Sequence, residues 1–147
     1  MVVRRAGPAD RDAVTDLLAA QFHEHAIALA PAALAAGIDG VLADADRGVL
    51  LLGLVDERPA AVAYLAWTWT LEHGGRVGWL EELYVRPEHR NGGVGTALLS
   101  DACRRARESG CLAIDLEVES GHARAIRLYE RHAFRRLDRT RLSLRLP

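Results

Sequence analysis

Two consecutive acids, Glu81 and Glu82, lie inside the otherwise apolar run "VGWLEELYV", a placement suited to a general base. Strand alternation sends neighbours to opposite faces, so at most one of the pair enters a cleft unless a bulge intervenes. Just beyond them, "RPEHRNGGVGTALL" carries Arg90-x-x-Gly93-x-Gly95 between a strand-like run and a helical pattern. Bare glycines there let backbone N–H groups face an anion, and the helix N-terminus adds a favourable dipole. Arg90 adds a charge-assisted contact. Further along, His122 and Tyr129 stand seven residues apart, close to two helical turns, on one face with Ala125 between them.

Two other glycine devices fit this joint poorly. A Walker-type phosphate loop ends in Gly-Lys-Ser/Thr, and the chain contains no lysine. A dinucleotide fingerprint needs a third glycine where Leu98 stands, and it follows the first strand of a βαβ unit, not a mid-chain hairpin. The pattern Arg90-x-x-Gly93-x-Gly95 remains, either as an anion site or as a helix entry loosened by glycines.

The surrounding elements must place these groups. "MVVRRA" is β-compatible, and "GPADRDAVTDLLAAQF" opens an amphipathic helix on Val14, Leu17, Leu18 and Phe22. Residues 31–45 read as a second helix weakened by Gly37 and Gly40, and 47–55 as an apolar strand. Residues 60–85 form two long strands joined at "HGG". The helix after the joint turns Val94, Ala97, Leu98, Ala102 and Ala106 to one face and ends at Gly110. A strand over 111–118, a helix over 121–133 and an alternating strand over 134–146 complete the order β-α-α-β-β-β-α-β-α-β. Helices around a central sheet with an antiparallel meander make the fold mixed α/β or α+β. Trp67 and Trp69 share a strand face and read as core. His23-x-His25 reads as a solvated helix end, with acceptor contact as the alternative.

With 147 residues the chain is expected to form one domain over 1–147, with a core that needs no disulfide or metal. A net charge of −1 argues against a nucleic-acid partner. No apolar run is long enough to span a membrane, and the start is unlike a signal peptide, so a cytoplasmic protein is expected. Cys103 and Cys111 read as small apolar residues, and no ligand cluster stands at metal spacing.

"WLEELYVRPEHRNGGVGTALL" and "HARAIRLYERHAF" together resemble the two signatures of the Gcn5-related N-acetyltransferase (GNAT) family, and the element order matches over nearly the whole chain. The nearest flavour is its small-amine branch. His122 stands where the family usually has Asn, and Ala133 where it usually has Gly. The resemblance implies a mostly antiparallel twisted sheet, splayed between strands 4 and 5 and flanked by four helices. It implies acetyl-CoA as donor, a small cationic amine as acceptor and a homodimer. Leu83, Tyr84 and Val85 would grip the pantetheine through backbone groups, and Arg90, Asn91, Gly92, Gly93, Val94, Gly95 and Thr96 would cradle the pyrophosphate. His122 would reach the cofactor arm, and Tyr129 would protonate the leaving thiolate. Of the two acids, Glu81 is the favoured base, acting through water, with Glu82 as the other choice. A peptide N-terminus as acceptor, or a non-catalytic acyl-CoA-binding module, are the competing expectations.

Overall fold

Apolar spacing in the first helix follows the 3.6-residue period: Val14, Leu17, Leu18 and Gln21 form the buried stripe of α1 (Arg11–Glu24). The last member of that stripe is an amide. The computed structural model describes residues 1–147, which divide into two units, Met1–Glu117 and Val118–Pro147.

In the first unit a five-stranded sheet runs in the order β1-β2-β3-β4-β5. The strands are β1 (Val2–Arg5), β2 (Gly48–Val55), β3 (Arg58–Thr70), β4 (Gly75–Val85) and β5 (Ala113–Leu116). The first four are mutually antiparallel, whereas β5 joins β4 in parallel, so the sheet is mixed. A parallel neighbour needs a crossover, which α3 (Val94–Glu108) supplies. Alternation then divides the core. Leu50, Leu52, Val62 and Tyr84 pack with Val14, Leu17 and Leu18 of α1 and Ile38 of α2 (Pro31–Ala43). Leu51, Ala63 and Leu65 have the opposite parity, and α3 brings its buried Leu98, Leu99, Ala102 and Ala106 to strands β2, β3 and β4. No helix is long and apolar enough to cross a membrane.

One irregularity in the β3–β4 ladder bears on the site. Tyr64 pairs with Glu82 and Leu65 with Leu80, so Glu81 is the extra residue of a β-bulge. Leu80 and Glu82, two apart in sequence, therefore belong to opposite faces. The β5 ladder also stops here: it runs from Val77↔Ala113 to Leu80↔Leu116 and leaves residues 81–85 of β4 unpaired on that side. The expected splay between strands 4 and 5 is this divergence.

The second unit holds α4 (Ala123–Arg131). Ala133 closes it in the left-handed region, with φ +67, and the N–H of Phe134 donates to the Tyr129 carbonyl at 3.1 Å. That is the helix-ending turn in which glycine is favoured. The strand expected over 134–146 does not form. Residues 135–147 are exposed, Leu142 and Leu144 by 89% and 83%, and no ladder includes them. Alternation supplies a face, but a strand also needs a neighbour to take its N–H and C=O groups. Trp69 is likewise not core: it is 75% exposed near the β3–β4 turn. Trp67 is half-buried, its indole N–H donating to the Ala45 carbonyl at 3.2 Å and its ring lying beneath the Arg76 guanidinium.

Candidate active site

Four pieces of the first unit converge where β4 leaves β5: the bulge, the end of β4, the glycine joint and the last turn of α1. Glu81 is exposed, as a bulge residue outside the ladder can be, while Glu82 is half-buried. The Gln21 amide nitrogen donates to Glu82 Oε2 at 2.7 Å. Burial first, and the Glu81 charge second, push the Glu82 carboxyl up to about 7, against the Gln21 hydrogen bond that lowers it. A carboxyl poised there is half ionised near neutral pH and can both take and give a proton. Of the two acids, Glu82 is thus the half-buried one with the raised carboxyl, whereas the resemblance favours Glu81 as base. The bulge is the cause, because it carries Glu82 to the face of α1 and leaves Glu81 in solvent.

The glycine joint leaves backbone donors open at the start of α3. Gly93 sits at φ +82 as the residue before α3, with open space where a Cβ would stand. The first intrahelical bond runs from the Ala97 N–H to the Gly93 carbonyl, and no side chain caps the helix. The N–H groups of Val94, Gly95 and Thr96 therefore lack helical acceptors and suit phosphate oxygens at a dipole's positive end. Asn91, at φ +66, together with exposed Gly92, forms the turn leading in. The Val94 side chain is buried, which leaves only its backbone open at the joint.

Arg90 is tied to the end of β4 and to the end of α1. Its Nε donates to the Val85 carbonyl at 2.8 Å and its Nη2 to Glu24 Oε2 at 2.7 Å. Its guanidinium lies 5.6 Å from the Tyr84 ring centroid. A carboxylate at the end of α1 pairs with the cation, so Arg90 ties the loop to α1. The same bond occupies the Val85 carbonyl, one of the groups expected to grip pantetheine. Tyr84 is buried among the core residues, which leaves its backbone alone for cofactor contact. Leu83, opposite Ala63, lies in the stretch of β4 without a β5 partner.

In the second unit His122 is the residue preceding α4, its Nε2 lying 3.6 Å from Glu119 Oε2. Tyr129 lies on α4 with its ring edge-on to Phe134 at 5.8 Å. His23, at the end of α1, lines a groove of 280 Å³ with Phe22, Ile27, Leu29, Pro31 and Leu34. Gln21, not singled out from sequence, occupies a core position of an otherwise apolar helical stripe.

A model of the acetyltransferase (GNAT) family matches residues 11–134. The chain belongs to that family. Mycothiol acetyltransferase of Propionibacterium freudenreichii subsp. shermanii is 38% identical over 85 residues, which are 56% of this chain and 27% of that protein. Thialysine N-epsilon-acetyltransferase of Sus scrofa is 35% identical over 63 residues, 43% of this chain and 35% of that protein. The match thus spans about a third or less of the length of these two relatives. An integron cassette protein from the mobile metagenome of Cole Harbour Salt Marsh shares the fold: TM-score 0.88 at 24% identity, covering 99% of this chain and 90% of the other.

Proposed function

We propose that residues 1–147 act as an acetyl-CoA-dependent N-acetyltransferase whose acceptor is a primary amine, a small cationic one. The observation that carries this reading is the half-buried Glu82 carboxyl beside the open end of β4, within a family of acetyltransferases. Bound acetyl-CoA supplies an activated acetyl thioester. The uncapped N–H groups of Val94, Gly95 and Thr96 fit its pyrophosphate, and the unpaired stretch of β4 around Leu83 fits its extended arm. The ammonium form first loses one proton to water; the neutral amine then attacks, and Glu82 takes a proton from its nitrogen as the N–C bond forms and the C–S bond breaks. Glu82 later returns that proton to water, and the leaving thiolate gains one. Tyr129 as donor of that last proton is supported by its place in the family's second signature. Two adjacent carboxylates, Glu81 and Glu82, favour a cationic acceptor over an anionic one, and thialysine, the substrate in one relative's name, is such an amine.

Release of free thiol from acetyl-CoA, measured with a panel of lysine, S-aminoethylcysteine, spermidine, glucosamine 6-phosphate and peptides with free N-termini, tests the reading. Release with one or more small cationic amines above the rate without acceptor is expected. Release with peptides alone would move the acceptor class, and tight acetyl-CoA binding without release for any acceptor would make the chain a binding module.

A further inference from the structure

Gln21 is the single buried polar residue in the core, 8% exposed, and it occupies a position that the α1 stripe would otherwise give to an aliphatic side chain. Its two amide atoms have unequal fates. Nε2 donates to Glu82 Oε2 at 2.7 Å, whereas Oε1 is buried without a hydrogen-bond partner. An unpaired buried carbonyl oxygen is costly, and such groups in folded proteins call for a reason. Burying an amide in place of a leucine also forfeits hydrophobic stabilisation. Packing alone therefore does not account for this residue.

The chemistry of its partner does. A carboxylate can only accept hydrogen bonds, whereas a carboxylic acid can also donate one. An amide carries a donor and an acceptor on one rotating group, so it can serve both forms in turn. Building on the reading of Glu82 as the base, we propose that Gln21 is the positioning residue for that base: its Nε2 donates to the carboxylate, and rotation about Cγ–Cδ brings Oε1 round to accept a hydrogen bond from the carboxyl O–H once Glu82 is protonated. The orphaned Oε1 is then the resting half of a two-position contact. No bond is made or broken in Gln21; the proton taken from the amine stays on Glu82 until it passes to water.

Few other groups face this pair. From β4 comes Glu81, whose charge raises the Glu82 carboxyl. From β3 comes Tyr64, opposite Glu82 in the ladder, whose hydroxyl donates to the Arg47 carbonyl at 3.3 Å. From α1, one turn beyond Gln21, comes Glu24, already paired with Arg90 at 2.7 Å. Within the first unit Gln21 is thus the donor that selectively favours ionised Glu82.

The test is an NMR titration of the full-length chain, following the glutamate side-chain carboxyl carbons and the glutamine side-chain amides from pH 4 to 10. Wild-type Gln21 amide signals are expected to shift with the same midpoint as the Glu82 carboxyl, and to stop shifting in Glu82→Gln. Gln21→Leu, similar in size and apolar, is expected to raise the Glu82 midpoint by about one pH unit, and Gln21→Glu by more. In turnover, Gln21→Leu then loses about tenfold in kcat/KM below the midpoint and recovers to within a few-fold of wild type at pH 9. A Gln21 amide that ignores the titration, or a Glu82 midpoint unmoved in both Gln21 variants, overturns the proposal. Full activity of Glu82→Gln would instead remove Glu82 as base, and it leaves the titration of the Gln21–Glu82 pair to be judged by the NMR signals alone.

Discussion

At the scale of single residues, the two neighbouring acids separate by environment. Glu81 sits in water as a bulge residue, and Glu82 sits half-buried against α1. Since the Glu81 charge helps to raise Glu82, Glu81→Gln should lower the midpoint of the pH–rate profile while keeping most of the activity at pH 8. Were Glu81 the base, that variant would instead lose its activity at every pH. The raised Glu82 value also has a consequence for stability. The folded state holds this proton up to about 7 whereas the unfolded chain releases it near the ordinary 4.5, so the contribution is fully present below 4.5 and is lost as pH rises through 7. Glu82→Gln is neutral throughout and should be more stable than wild type at pH 8 by roughly 2–3 kcal/mol. At pH 4 the two should nearly coincide, as chemical denaturation at both pH values would show. Neither the different burial of the two acids nor the Gln21–Glu82 contact was legible in the sequence. Strand alternation gives two equivalent choices until a bulge breaks the parity, and a glutamine within a helical stripe reads as a surface residue until its partner is known.

At the scale of elements, the stretch from β4 through α3 was legible because its signals are backbone requirements. Gly93 needs its positive φ, Pro87 begins the turn, and the apolar spacing from Val94 to Ala106 leaves one face for α3. The last expected strand was not legible. Leu142, Leu144 and Leu146 alternate correctly, but periodicity describes a face and says nothing of a pairing partner. Helix α4 ends one residue type away from ideal, because Ala133 adopts a left-handed conformation that costs an L-residue about 1 kcal/mol relative to glycine. Ala133→Gly should therefore stabilise the turn by about that amount and raise a thermal midpoint by about 3 °C if that unit unfolds with the rest. No change, or a fall, would mean that the turn bears no strain.

At the scale of the whole molecule, one sheet and one helix turn gather the candidate residues of the first unit. The β5 ladder ends at Leu80, the bulge follows at once, and the last turn of α1 sends Gln21 to Glu82 and Glu24 to Arg90. Arg90 thereby joins the glycine loop to the helix that also contacts Glu82, a link that the family signature alone does not suggest. Tyr129 belongs to the second unit, and its role rests on the signature around it. Tyr129→Phe should lower kcat by about tenfold or more while acetyl-CoA affinity, measured by calorimetry, stays nearly unchanged. An unchanged kcat would take Tyr129 out of the reaction.

The most direct test is the pH dependence of kcat/KM for amine-dependent thiol release, compared between wild type and Glu82→Gln from pH 5 to 9. With Glu82 as base, the wild-type profile rises with a midpoint near 7. Glu82→Gln should fall by about 100-fold or more at pH 8 and lose that limb. A Glu82→Gln enzyme that keeps both the wild-type rate and the wild-type limb would contradict the assignment of Glu82.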